Sequence, residues 1–130
     1  MNKLQLMDRY PVLTLDIPKA ETTCTDIDAV VARLRQAIEA DKRAIFIADF
    51  DHYAHTRSLG GPIAEGICGA RNLVFCFGPH IPNPQILGVR PRSLGIAECA
   101  DRFVVSFMEP PMPFANEAMS QWCEELRDRI

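Results

Sequence analysis

Two spacings of apolar residues run along the chain, and turn-forming residues mark where one gives way to the other. Leu13, Leu15 and Ile17 alternate with Thr14 and Asp16 between Pro11 and Pro18, the period of a strand with one covered face. From about Asp26 the period lengthens. Ile27, Val30, Val31, Leu34 and Ile38 fall on one stripe of a helix running to Ala40, and Arg33, Arg35, Gln36 and Glu39 lie off it. Thr25 with Asp28 three residues on has the form of a capping box. After the Asp41-Lys42 turn, Arg43 to Phe50 is apolar at most positions, which predicts a strand near the middle of a sheet with both faces covered.

The second half is strand-rich. A loop at Ser58 to Pro62 and one helical turn before Gly66 precede a buried strand over Asn72 to Phe77. Pro79, Pro82 and Pro84 then forbid a regular ladder. A short strand is expected around Ile86 to Val89, then a hairpin of Leu94 to Glu98 with Arg102 to Met108 about Ala100-Asp101. The Pro110 to Pro113 spacer leads to a helix over Asn116 to Arg127 that turns Ala118, Met119, Trp122, Cys123 and Leu126 inward. The order β-α-β(4)-α predicts an α+β two-layer sandwich, a mostly antiparallel curved sheet with its helices on one face. A ferredoxin-like arrangement is the competing topology. One domain is expected to span residues 1–130, since neither a repeat nor a linker interrupts the pattern.

Composition narrows the partners. A net charge of -3 argues against a nucleic-acid footprint, and no apolar run approaches the ~20 residues of a membrane helix. Met1 to Tyr10 carries charges of both signs without the apolar segment of a secretion signal, so the chain is expected in the cytoplasm. Cys24, Cys68, Cys76, Cys99 and Cys123 are odd in number and contain no C-x-x-C pair, which predicts reduced thiols rather than disulfides or a zinc knuckle. Cys76 and Cys123 fall in apolar stretches and are expected to be buried; Cys68, in a glycine-rich loop, is the candidate reactive thiol.

An amphipathic helix and a strand running into Asp51-His52-x-Ala54, a glycine-rich loop, and an apolar strand ending in Phe77-Gly78-Pro79 together resemble the bacterial domain of unknown function 302 family. The resemblance covers roughly Asp26 to Met108. It implies a sandwich similar to that of the TATA-binding protein and association as a homodimer; it implies no reaction. The chain departs from the family's Phe-Gly-Asn-Pro, having Phe77-Gly78-Pro79-His80 with the Asn-Pro displaced to Asn83-Pro84.

Candidate chemistry gathers at the end of the second strand. In helical geometry His52 and His55 share a face and are candidate ligands for one metal ion, with Asp49 or Asp51 as a third and His80 as a further candidate. A His-x-x-His spacing is also met where His52 merely caps or hydrogen-bonds a strand end and Tyr53 packs. Arg90 and Arg92 flank Pro91; in an extended segment both guanidinium groups point the same way, a fork for a carboxylate or phosphate. The glycines at 60, 61, 66 and 69 lack the strand-glycine-helix setting of a nucleotide loop. No residue pattern assigns a cofactor.

Three readings follow. In the first, a dimeric module holds a small anionic ligand between His52, His55, Arg57, His80, Arg90 and Arg92. In the second, His52 is a general base oriented by Asp51, either in a hydrolase or in a metal-dependent enzyme. In the third, the chain is a structural or partner-binding module. The first requires folding to bring positions 52 and 55 to positions 90 and 92.

Overall fold

Residues 1–129 are described by a computed structural model, and the alternating stretches form the expected strands. In chain order the elements are β1 (Asn2–Leu6), β2 (Tyr10–Pro18), α1 (Ile27–Ala40), β3 (Ala44–Asp51), α2 (His52–Ser58), β4 (Gly69–Phe77), β5 (Arg92–Glu98), β6 (Arg102–Met108) and α3 (Pro113–Glu124). The six strands form one open sheet in the order β1-β2-β6-β5-β4-β3, every neighbouring pair antiparallel. Helices α1 and α3 pack against each other, and α1 lies across β3, β4 and β5. This is the α+β two-layer sandwich expected from the sequence.

The covered side of the sheet is built by bulk. Leu73 and Phe75 of β4, Leu94 of β5, and Phe103 and Val105 of β6 have no exposed surface, and they meet Leu34 and Ile38 of α1 and Met119 of α3. Trp122 closes this layer, stacked on Phe77 at 5.8 Å and edge-on to Phe75 at 5.5 Å. Helix α1 starts one residue later than the capping box supposed. Asp26 is the N-cap, its carboxylate accepting from the Ala29 backbone N–H at 2.8 Å, so Thr25 has no capping role. Among the described residues no helix is long and apolar enough to cross a membrane.

Two local expectations are corrected, and one element was not expected. β3 is not central: it is an outer strand, and Ile45 and Ile47 are 62% and 53% exposed. Its apolar run reads as two covered faces, but α1 covers only one. Residues 86–89 form no strand; Pro84–Gly88 is a 3₁₀ turn, capped by the Asn83 side chain donating no bond but accepting one from the Ile86 N–H. Pro84 opens that turn, its fixed φ suiting the first helical position. Finally, β1 pairs with β2 through a turn at Met7 and Asp8, both at positive φ, where no glycine or asparagine advertises a hairpin.

Candidate functional site

At Asp51 the edge strand stops and the chain turns into α2. The Asp51 carboxylate accepts the Ala54 N–H at 2.9 Å, capping the helix it begins. On that helix a separation of three puts His52 and His55 side by side, ring centroids 6.2 Å apart and each 5.2 Å from the Phe50 ring. His52 Nδ1 lies 2.8 Å from Oδ1 of Asn72 on β4. Asn72 stands opposite Phe50 in the β3–β4 register and opposite Gly95 in the β4–β5 register. The expected orienting group, Asp51, is thus occupied as a cap, and Asn72 takes its place.

Asn72 belongs to the side of the sheet that no helix covers. There a depression of about 210 Å³ has His52 at its margin and Ala70, Asn72, Gly95, Ala97 and Ser106 among its lining residues. Small side chains make the hollow. A Cβ added at Gly95 would lie 3.5 Å from Ser106 Oγ and 3.8 Å from Asn72 Nδ2, ordinary contact distances that would fill the space between two polar groups without a clash.

The remaining candidates are placed elsewhere. Arg57 lies over the Tyr53 ring at 5.9 Å, and positions 53 and 57 share a side of α2 about 100–140° around from His52. His80 and Arg90 sit beyond the far end of β4, where Arg90 donates to the His80 backbone carbonyl. Arg92 is opposite Phe75, on the helix-covered side, and donates to the carbonyls of Met108 and Val89. Asn72 and Phe77 are five residues apart on an extended strand, about 16 Å. The structure therefore brings His52 and His55 together but sets His80, Arg90 and Arg92 apart from them, at the other end of β4. Arg90 and Arg92 do line one small hollow with Phe77 and Met112, but each guanidinium also bonds a backbone carbonyl. The proline-broken loop leaves carbonyls without ladder partners, and both guanidinium groups answer them. Burial lowers the Arg92 pKa, and its Nε is buried without a partner.

The carboxylates expected to complete a metal set are likewise engaged. Asp49 receives two bonds from Arg71, at 2.5 and 2.9 Å, and Arg71 also reaches Asp28 of α1 at 2.6 Å. That arginine holds the Asp49 carboxyl below its usual range, while the two acids push Arg71 upward. With Asp51 capping α2, the pair of imidazoles has no third ligand; among the described residues no group of three His, Cys, Asp or Glu side chains is close enough to hold a metal ion. Of the thiols, Cys123 is buried and pushed up to about 12 by desolvation, whereas Cys76 is only half-buried, on the uncovered side of β4.

Asn72 and Arg71 escaped the sequence reading. Both sit inside an apolar strand, and the only available signal was their polarity at positions where β4 is otherwise apolar.

An antiparallel sheet carrying helices on one side and a fixed histidine at the margin of the other defines an α+β sandwich with one open face. The chain belongs to a family of unknown function, DUF6858, whose model matches residues 1–128. Its fold is similar to that of an uncharacterized conserved protein, DUF302, from Bacillus stearothermophilus, known from a crystal structure: TM-score 0.54 at 14% identity, covering 88% of this chain and 91% of that one. At that identity the likeness extends to the fold alone, and it agrees with the family resemblance of Asp26 to Met108. No match is found among curated proteins.

Proposed function

We propose that this chain is a small-molecule-binding module that takes a compact oxyanion-bearing ligand on the open face of its sheet and pairs with a second copy along β3. The observation that carries the reading is the 2.8 Å bond between His52 Nδ1 and Asn72 Oδ1 at the margin of the depression. Exposed imidazoles are ordinarily free to rotate; this one is fixed by a second side chain. With Asn72 Oδ1 accepting, Nδ1 carries the proton and Nε2 is the nitrogen left free. The Asn72 amide N–H and the Ser106 hydroxyl supply donors for a carboxylate or phosphate oxygen, both within 4 Å of the space over Gly95. The hollow, about 210 Å³ and open to solvent, suits a compact ligand.

What supports pairing is the free edge of β3, with its two exposed isoleucines and no proline or lysine within Ala44–Asp51. Five unpaired cysteines fit a reducing cytoplasmic setting.

The test is a titration followed in ¹H–¹⁵N correlation spectra, with inorganic phosphate and a series of mono- and dicarboxylates as probes. Saturable shifts at Asn72, Gly95 and Ser106 are expected, lost in Gly95→Val and weakened in His52→Gln. Shifts that survive in Gly95→Val, or none that saturate, would remove the open face as the binding site.

The same hydrogen bond favours a second reading, His52 Nε2 as a general base with Asn72 as its orienting partner. Turnover of an ester panel, abolished in His52→Gln and reduced in Asn72→Ala, would replace the binding reading by this one.

A further inference from the structure

Beyond the histidine site, the β4–β5 ladder ends beside two cysteines, Cys68 and Cys99. Gly69 is paired with Glu98 and Ala70 with Ala97, and Cys68 and Cys99 are the residues that come next on either side of this last pair. The chain is held there: the Cys68 N–H donates to the Glu98 carbonyl at 2.9 Å, and the Cys68 thiol donates to the same oxygen at 3.4 Å. Across a planar peptide that oxygen is about 2.8 Å from the Cys99 Cα, which places the Cys68 sulfur within about 6 Å of it. A bridge then requires the Cys99 side chain to turn toward that sulfur and the two Cβ atoms to come within about 4.5 Å. Cys99 is itself fixed by its N–H bond to the Arg102 carbonyl at the hairpin turn.

The two thiols differ in access, Cys68 exposed and Cys99 buried. The ammonium group of Lys19 stands by, bonded to Glu98 at 2.7 Å and within electrostatic reach of both sulfurs.

We infer that Cys68 and Cys99 form a thiol–disulfide pair, oxidised by small-molecule disulfides of the glutathione class. Cys68 acts first because it is accessible. Its thiolate attacks one sulfur of the small disulfide, that S–S bond breaks, and one small thiolate leaves. The Cys99 thiolate then attacks the Cys68 sulfur of the mixed disulfide and expels the second small thiolate. Two electrons pass from the cysteine pair to the small disulfide, and the two cysteine protons go to the two released thiolates. The bridge ties the end of the loop after α2 to β5.

Oxidised glutathione added to the reduced full-length chain, followed by denaturing alkylation, digestion and mass mapping under non-reducing conditions, tests this. The expected product is a peptide joining Cys68 to Cys99, with Cys24, Cys76 and Cys123 alkylated. Cys99→Ser should stop at a persistent glutathione adduct on Cys68. A wild-type chain that accumulates that adduct, that links Cys68 to any other cysteine, or that does not react would overturn the pair.

Discussion

The two sides of the sheet are made from the same strands on opposite principles. Along β4, Leu73, Phe75 and Phe77 point to the helices and are buried, while Asn72, Val74 and Cys76 alternate with them on the uncovered side and are only half-buried. Along β5, Leu94 and Ile96 are buried, whereas Gly95 and Ala97 face out. Bulk defines the first side, because apolar area removed from water is what holds the layers together. Smallness defines the second, and it leaves a hollow between polar groups. Folding constrains one side tightly and leaves the other free to carry chemistry.

The sharpest way to break that contrast is truncation of neighbouring positions on β4. Phe75→Ala removes a fully covered ring from the contact with Trp122 and Phe77 and is expected to cost about 3–5 kcal/mol in urea unfolding. Val74→Ala, one residue away and half-exposed, is expected to cost about 1 kcal/mol or less. Equal losses would mean that the open side is packed as tightly as the covered one.

A smaller effect tests where the covered side ends. Arg71 lies between Asp49 and Asp28 at the margin of the helix layer, its side chain 18% exposed. Arg71→Met leaves two carboxylates without their cation and is expected to cost about 1–2 kcal/mol, less than a fully buried pair because Asp28 is largely exposed. The sign with pH follows from the carboxyl of Asp49, which Arg71 holds lower in the folded chain than in the unfolded one. Its contribution is complete above the ordinary carboxylate pKa of about 4 and disappears as pH falls through the folded value. Asp128 acts in the same direction: the Thr23 hydroxyl and backbone N–H, with Arg33 adding to them, hold it at about 2. Unfolding free energy measured from pH 5 to pH 2 is therefore expected to fall less steeply in Arg71→Met than in the wild type, with the Asp128 part of the slope retained. Parallel slopes would show that Arg71 does not set the Asp49 titration.

The same contrast explains what could be read from the chain. The stripe Val30, Val31, Leu34 and Ile38 and the strands of the second half were legible, because covered faces leave a periodic apolar record. Ile45 and Ile47 leave the same record on an edge, since an apolar residue does not encode what covers it. His52 and His55 were legible as a pair through their helical spacing. Their partner Asn72 was not, because it is met only through the β3–β4 register. The carbonyl partners of Arg90 and Arg92 were not legible either, because a broken segment generates unpaired carbonyls to which a nearby arginine is drawn.

The smallest change in stability concerns β3 and bears on the largest change in assembly. The β3–β4 register shifts between Phe46 and Ala48, leaving Ile47 at the irregularity and 53% exposed. Ile47→Lys puts a charge on the free edge, the device by which edge strands are kept from joining. Since Ile47 is not part of the buried cluster, unfolding of the monomer should change by no more than about 0.5 kcal/mol. Sedimentation velocity should nonetheless move from dimer to monomer at micromolar concentration, while phosphate or carboxylate binding at Gly95 persists. A wild-type chain that sediments as a monomer would end the pairing half of the proposed function, and loss of ligand binding in Ile47→Lys would mean that the open-face hollow is completed by the second copy.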